Sequence, residues 1–244
     1  MKKISLFAIA LMGVASMVSA QSRIVNNPDN RPYFGARLSV EAAQPGSIEA
    51  GNIKKDVFKP GAGLSIGAIY NQPVVANFYI EPGLELYYNT TKFNTDDSQF
   101  QNVHLKSNST RSFGMRVPVM LGYHFDFSPK FSVAIQTGPV LKVGFSDDYY
   151  LTSETRFSQR DSEAYRWHAS GSMYNDNVYT GAGVVNAFNR VDCSWRISLG
   201  FNFLKNYYAA LSGDIGMVNQ IKHSNNGAYK RYNNLFQLTL GYNF

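Results

Sequence analysis

The final ten residues, Leu235 to Phe244, alternate without a break between apolar and polar side chains. Phe236, Leu238, Leu240, Tyr242 and Phe244 share one face of a strand, and Gln237, Thr239, Gly241 and Asn243 share the other, because successive strand side chains point to opposite sides. No other feature constrains the fold as much. A strand with one greasy wall and one polar wall needs an apolar medium against the first and a polar environment against the second. The terminal aromatic is placed as it is in a sheet that closes on itself at an apolar–water interface.

The same alternation recurs along the chain and predicts eight strands. The first runs over about Pro32 to Val40, the second over Gly61 to Tyr70 and the third over Phe78 to Asn89. The fourth covers Ser112 to Phe125, the fifth Phe131 to Phe145, the sixth Phe188 to Phe203 and the seventh Tyr207 to Val218, with the terminal segment as the eighth. Connections after strands two, four and six are short, at Asn71 to Ala76, Asp126 to Lys130 and Leu204 to Asn206. Those after the odd-numbered strands are longer, and Ser146 to Ala187 far exceeds what a hairpin needs. Short turns at one rim and long loops at the other, with an even strand number, predict an all-β fold. It is an eight-stranded antiparallel up-and-down transmembrane β-barrel with long extracellular loops and short periplasmic turns. An open sheet would leave backbone groups unpaired in lipid, so closure is required.

The amino-terminal end predicts export. Lys2 and Lys3 precede an apolar run from Ile4 to Val18, and Val18-Ser19-Ala20 offers small residues before Gln21. This is the pattern of a secretory signal peptide over residues 1–20. Residues 21–31 then form a periplasmic segment and residues 32–244 the barrel, located in the cell outer membrane. The composition agrees, with 16 Tyr, 17 Phe and 20 Gly. Aromatics near strand ends, among them Tyr33, Phe34, Tyr79, Tyr87, Tyr123, Tyr208, Tyr242 and Phe244, are expected to form interfacial girdles. The single cysteine, Cys193, excludes an internal disulfide and multi-cysteine zinc sites, and alternation puts it on an apolar face. The formal charge of +6, which loses Lys2 and Lys3 with the leader, is too mild to be a nucleic-acid footprint. The expected partners are outer-membrane lipid, lipopolysaccharide and the barrel-assembly machinery.

With the apolar faces toward lipid, the inward set contains Arg37, Glu81, Glu85, Arg116, Lys142, Asp192, Arg196 and Asp214. Four cations and four anions in a narrow interior should pair, since a lone buried charge is costly. Eight strands leave an interior just wide enough for side chains to fill, so a plugged lumen is expected in place of an open pore. Inward glycines such as Gly67, Gly114, Gly122 and Gly241 fit a tight barrel coiling around larger neighbours. Gly181-Ala182-Gly183 lacks the setting of a dinucleotide fingerprint and reads as loop.

Arg116-Val117-Pro118-Val119-Met120-Leu121-Gly122-Tyr123, the Ser128-Pro129-Lys130 turn, and Phe131-Ser132-Val133 leading to Gly138-Pro139 resemble the PorT-like outer-membrane β-barrel family of Bacteroidetes, with the small-barrel architecture of OmpA- and OmpX-like proteins. The specific residues lie within about Arg116 to Phe145. The resemblance implies an integral eight-stranded barrel and, through one relative, a place in a protein secretion or assembly complex. It supplies no catalytic residues.

For function, the long loops carry the expectation. Tyr149, Tyr150, Tyr165, Trp167, Tyr174 and Tyr179 within Ser146 to Ala187 are candidate surface contacts for an extracellular ligand, since Tyr and Trp give large contact area at low entropic cost. Rim catalysis would call on His104, His168 or His223 with Asp147, Asp148 or Asp161, but no spacing ties them into a catalytic set. His124 falls at the periplasmic end. Asn175-Asp176-Asn177 is a weak cation motif. No enzyme, cofactor or metal is expected.

Overall fold

The computed structural model describes residues 31–56, 58–94, 103–128, 130–155, 171–177, 189–204, 206–221 and 229–244. The proposed leader and nearly all of the segment after it lie outside these residues. So do Tyr165, Trp167, Tyr179, His168, His223 and Asp161.

Eight antiparallel strands form the body: β1 (Tyr33–Pro45), β2 (Phe58–Val75), β3 (Phe78–Phe93), β4 (Val103–Ser128), β5 (Phe131–Thr155), β6 (Val191–Phe203), β7 (Tyr207–Gly216) and β8 (Asn233–Asn243). Each pairs with its neighbour in sequence, and β1 also pairs with β8, so the sheet closes into a ring. The closing register sets Leu38 opposite Leu240 and Val40 opposite Leu238. Phe244 adds a backbone bond, its N–H donating to the Phe34 carbonyl at 2.8 Å.

Alternation decides which wall each residue joins. Leu38, Ile66, Leu199, Leu211 and Leu240 project outward and stay exposed, while Arg37, Ser39, Ser198, Gln237 and Thr239 are buried inside. A continuous exposed apolar wall of this extent is untenable in water and suits a lipid surround. Cys193 shares the outward face and is half-exposed.

The expected strands are all present, but several are longer than the apolar pattern indicated. β4 begins at Val103 and β5 continues through Thr155, so Ser146 to Thr155 is strand where a loop was expected. These extra residues pair with each other, Arg111 with Asp148 and His104 with Glu154. The seven-residue strand Gly171–Asn177 takes up the β5 edge between Asp148 and Ser153. The sequence there is rich in Ser, Thr, Asn and charge, so the alternation of hydrophobicity vanishes while the ladder continues. Asn71 to Val75, expected as turn, likewise belongs to β2, leaving a two-residue turn at Ala76 and Asn77.

Aromatic rings belt the short-turn rim. Phe34 and Tyr70, Phe78 and Tyr123, Phe131 and Phe203, and Tyr207 and Tyr242 meet with centroids 4.8, 4.7, 5.4 and 5.5 Å apart. Tyr33, on the inward face of β1 with Arg37 and paired with Asn71, does not join this girdle. Tyr79, Tyr87 and Tyr208 do not join it either: they point into the lumen and are buried. Each lies over an inward glycine. A Cβ on Gly122 would stand 2.2 Å from Tyr79 Cζ, one on Gly114 2.5 Å from the Tyr87 hydroxyl, and one on Gly200 2.8 Å from the Tyr208 ring. The missing side chain is the slot that lets a tyrosine lie across an eight-stranded interior.

Candidate functional site

The lumen is the best-defined polar assembly, and the register builds it. Glu85 of β3 is level with Arg116 of β4, Arg116 with Lys142 of β5, and Lys142 with Asp192 of β6. Arg196 of β6 faces Asp214 of β7. Charges from five strands are thereby brought to adjoining levels inside one narrow tube.

At mid-height they pair across it. Arg116 grips Glu41 through a fork, Nη1 to Oε1 and Nη2 to Oε2, both at 2.6 Å. Arg116 Nη1 also lies 3.5 Å from Glu85 Oε2. Arg196 donates Nη1 to Glu85 Oε1 at 2.6 Å, and its Nε and Nη2 hold Asp214 at 2.6 and 2.9 Å. Glu85 therefore bridges two guanidiniums, and Gln237 caps Glu41 at 2.8 Å. Arg116 and Glu41 are almost fully sequestered, with side chains 2% and 0% exposed. Bidentate geometry of this kind makes a buried ion pair tolerable, since both carboxylate oxygens exchange water for charged donors.

Toward the short-turn end a second polar layer follows. Asn71 and Gln136 each donate to Glu81 at 3.1 Å, Tyr208 donates to Gln136 at 3.1 Å, and the Arg37 guanidinium rests 4.2 Å over the Tyr208 ring. His124 stacks on Tyr79 at 4.2 Å at this end. Toward the long-loop end lies a third layer, where Lys142 approaches the Tyr87 ring at 4.9 Å and Gln220 donates to Asp192.

All eight inward charges named from the sequence line this lumen, yet they fall into three levels and do not form one network. Glu85, Arg116, Arg196 and Asp214 come together, with Glu41, which sequence reasoning missed. The signal is present, since Gly35, Arg37, Ser39 and Glu41 alternate inward, but the apolar half of the pattern stops at Val40. Of the loop candidates, Tyr149 and Tyr150 sit in the β5 extension opposite Thr110 and Ser109, and Tyr174 falls within Gly171–Asn177. Asn175, Asp176 and Asn177 close that same strand.

The long-loop end also has its own architecture. Ile48–Ala50, Ile53–Lys55 and Tyr229–Lys230 form a small antiparallel sheet, joining the β1–β2 connection to the residues just before β8. Lys54 pairs with Glu49 at 3.2 Å, Ser47 donates to Asp56, and Asn94 donates to the Asp56 carbonyl at 3.0 Å.

Comparison with solved structures returns small outer-membrane barrels at low identity. OprG from Pseudomonas aeruginosa is 10% identical, with 87% of this chain and 95% of that chain aligned at a TM-score of 0.45. Neisserial surface protein A is 9% identical, covering 86% and 95% at 0.40. Ail of Yersinia pestis, solved in complex with the heparin analogue sucrose octasulfate, is 11% identical, covering 88% and 99% at 0.36. No curated protein matches the sequence. The outer membrane protein beta-barrel domain family matches residues 19–221. With most of the closed barrel inside that span, the chain belongs to the outer membrane protein beta-barrel domain family.

Proposed function

We propose that this chain is a non-enzymatic outer-membrane barrel whose lumen is held shut by its own ion pairs, and which acts by binding at its long-loop, extracellular end. The observation that carries the reading is the run Glu41–Arg116–Glu85–Arg196–Asp214 across the lumen. Moving either guanidinium aside would leave carboxylates uncompensated, at a cost of about 3–5 kcal/mol when one partner of a buried pair is lost. A lumen closed in this way carries no solute, which shifts activity to the outer surface. The extended β4–β5 hairpin supports that shift, because ordering backbone beyond the bilayer costs about 1–2 kcal/mol per residue and such segments are where function concentrates. Residues 1–20 act as the export signal in this reading, and lipopolysaccharide and the assembly machinery are the barrel's partners in the envelope.

The test is conductance in a planar bilayer. The wild-type protein should insert without a steady aqueous current, and Arg196→Ala should introduce one. A steady wild-type current equal to that of the variant would overturn the closed lumen.

A further inference from the structure

Three prolines stand in the middle of the sheet, where a paired strand ordinarily has none: Pro82 in β3, Pro118 in β4 and Pro139 in β5. The ladder breaks at each of them. From β2 to β3 it skips from Ile69–Gly83 to Gln72–Ile80, and from β3 to β4 it skips from Pro82–Val119 to Glu85–Arg116. From β4 to β5 it skips from Pro118–Val140 to Leu121–Thr137. The register is the same on both sides of each gap, so these are missing rungs and not bulges. The other five junctions of the ring run without a skipped pair.

The cause is the N–H that proline lacks. In an antiparallel pair each residue turns its N–H and C=O toward one neighbour, and the side alternates along the strand. His124 donates its backbone N–H to the Asn77 carbonyl at 3.0 Å, which turns odd-numbered β3 residues and even-numbered β4 residues toward each other. Pro118 therefore faces Gly83, Pro82 faces Tyr70 and Pro139 faces Val119, and each leaves that carbonyl without its ladder donor. Such a loss is costly in hydrocarbon. Three of them in successive junctions, at one height, make this the weakest line in the wall.

The wall is apolar on both sides of that line. Leu84 and Val119 are exposed outward, and Ile69, Met120 and Val140 are buried inward. Behind it lies a lumen cavity of about 40 Å³, lined by Ile69, Pro118 and Met120 together with Glu85, Gln136 and Arg196. That is room for the last few atoms of a chain and not for a headgroup. The first rung on the long-loop side of the break is Glu85–Arg116. There Glu85 of β3 is held by Arg196 at 2.6 Å and approached by Arg116 of β4 at 3.5 Å.

We propose that the barrel wall parts sideways along this line, between β3 and β4, joining the lumen cavity to the hydrocarbon core while the axial path stays shut, with Glu85 as the latch. This opening is separate from binding at the outer end, since it gives the lumen an approach from the bilayer.

Full-length protein in phosphatidylcholine vesicles, with a trace of phospholipid carrying a diazirine at the end of one acyl chain, should be irradiated and its adducts mapped by mass spectrometry. Leu240, exposed on the outer wall, is the internal standard. Adducts are expected on Ile69 or Met120 as well. In a Cys193→Ser background, Leu84→Cys with Val117→Cys puts two thiols at a non-hydrogen-bonded pair, where Cα atoms about 4.5 Å apart suit a disulfide. Oxidation should lower the inward adducts several-fold relative to Leu240, and reduction should restore them. Pro118→Ala, which returns the rung to Gly83, should lower them too, and Glu85→Gln should raise them, every variant keeping the gel shift between unboiled and boiled samples. Inward residues free of adducts while Leu240 is labelled would overturn the opening. So would inward labelling indifferent to the disulfide or to Pro118→Ala, and labelling unchanged in Glu85→Gln would overturn the latch. A silent barrel without inward adducts refutes this opening alone, whereas a steadily conducting barrel refutes the closed-lumen reading.

Discussion

The lumen and the lipid-facing wall are made from the same strands, taken one residue apart, and they specify the fold in different ways. Outward, Leu38, Ile66, Leu211 and Leu240 need only be apolar, because lipid tails adapt to any shape. Inward, Arg116 must reach Glu41 with both nitrogens, and Tyr79 must have Gly122 beneath it. One wall is specified by residue class, the other by residue identity. Stability lost on substitution should follow that division.

The largest effect is expected inside. Arg116→Ala strands Glu41 and should cost about 3–5 kcal/mol of unfolding free energy, read as a lower urea midpoint for the folded barrel in lipid vesicles. Next comes a violation of class on the outer wall. Leu238→Lys, in the middle of β8 with its side chain outward, should cost up to about 2–4 kcal/mol in the same assay, the figure for a cation at the bilayer midplane. Gly122→Ala pushes a methyl into Tyr79, and overpacking of this kind costs about 1–3 kcal/mol. Thermal melting in detergent would register it. Smallest is a change that respects class: Val40→Leu on the lipid wall should stay within about 0.5 kcal/mol. If Val40→Leu proved as damaging as Gly122→Ala, the distinction between the two walls would fail.

The same division explains what could be read from the sequence. Eight strands, their facing and the alternation of short and long connections follow from a period of two imposed by lipid on one side and a polar interior on the other. Where lipid ends, that signal ends. The β4–β5 extension beyond Ser112 and Ser146 is a run of Ser, Asn, Thr and Tyr without apolar alternation, so its ladder leaves no hydrophobic trace. The inward tyrosines are legible by alternation, Tyr79 and Tyr87 lying one residue from outward Ile80 and Tyr88 and Tyr33 two residues from Gly35 on the face of Arg37, but their residue type suggests a girdle. Glu41 escapes the sequence pattern because the apolar alternation fades at Val40, five residues before the strand ends at Pro45, Ala42 and Ala43 giving a weak apolar signal. The pairing of Tyr229–Lys230 with Ile48–Ala50, which shapes the long-loop end, joins segments far apart in the chain and leaves no local pattern at all. The candidate site was legible as a set of inward charges, and its layering emerged only with register.

Thiol accessibility of the lumen tests the central claim most directly. In a Cys193→Ser background, Ser212→Cys places the only thiol inside the barrel, beside Ser198, and Asn234→Cys places one at the outer mouth. A charged methanethiosulfonate added from the outside should label the mouth thiol quickly and leave the inner thiol unreacted, until Arg196→Ala is introduced and labelling appears. Equal labelling of both thiols with Arg196 intact would mean an open, water-filled lumen and would contradict the account.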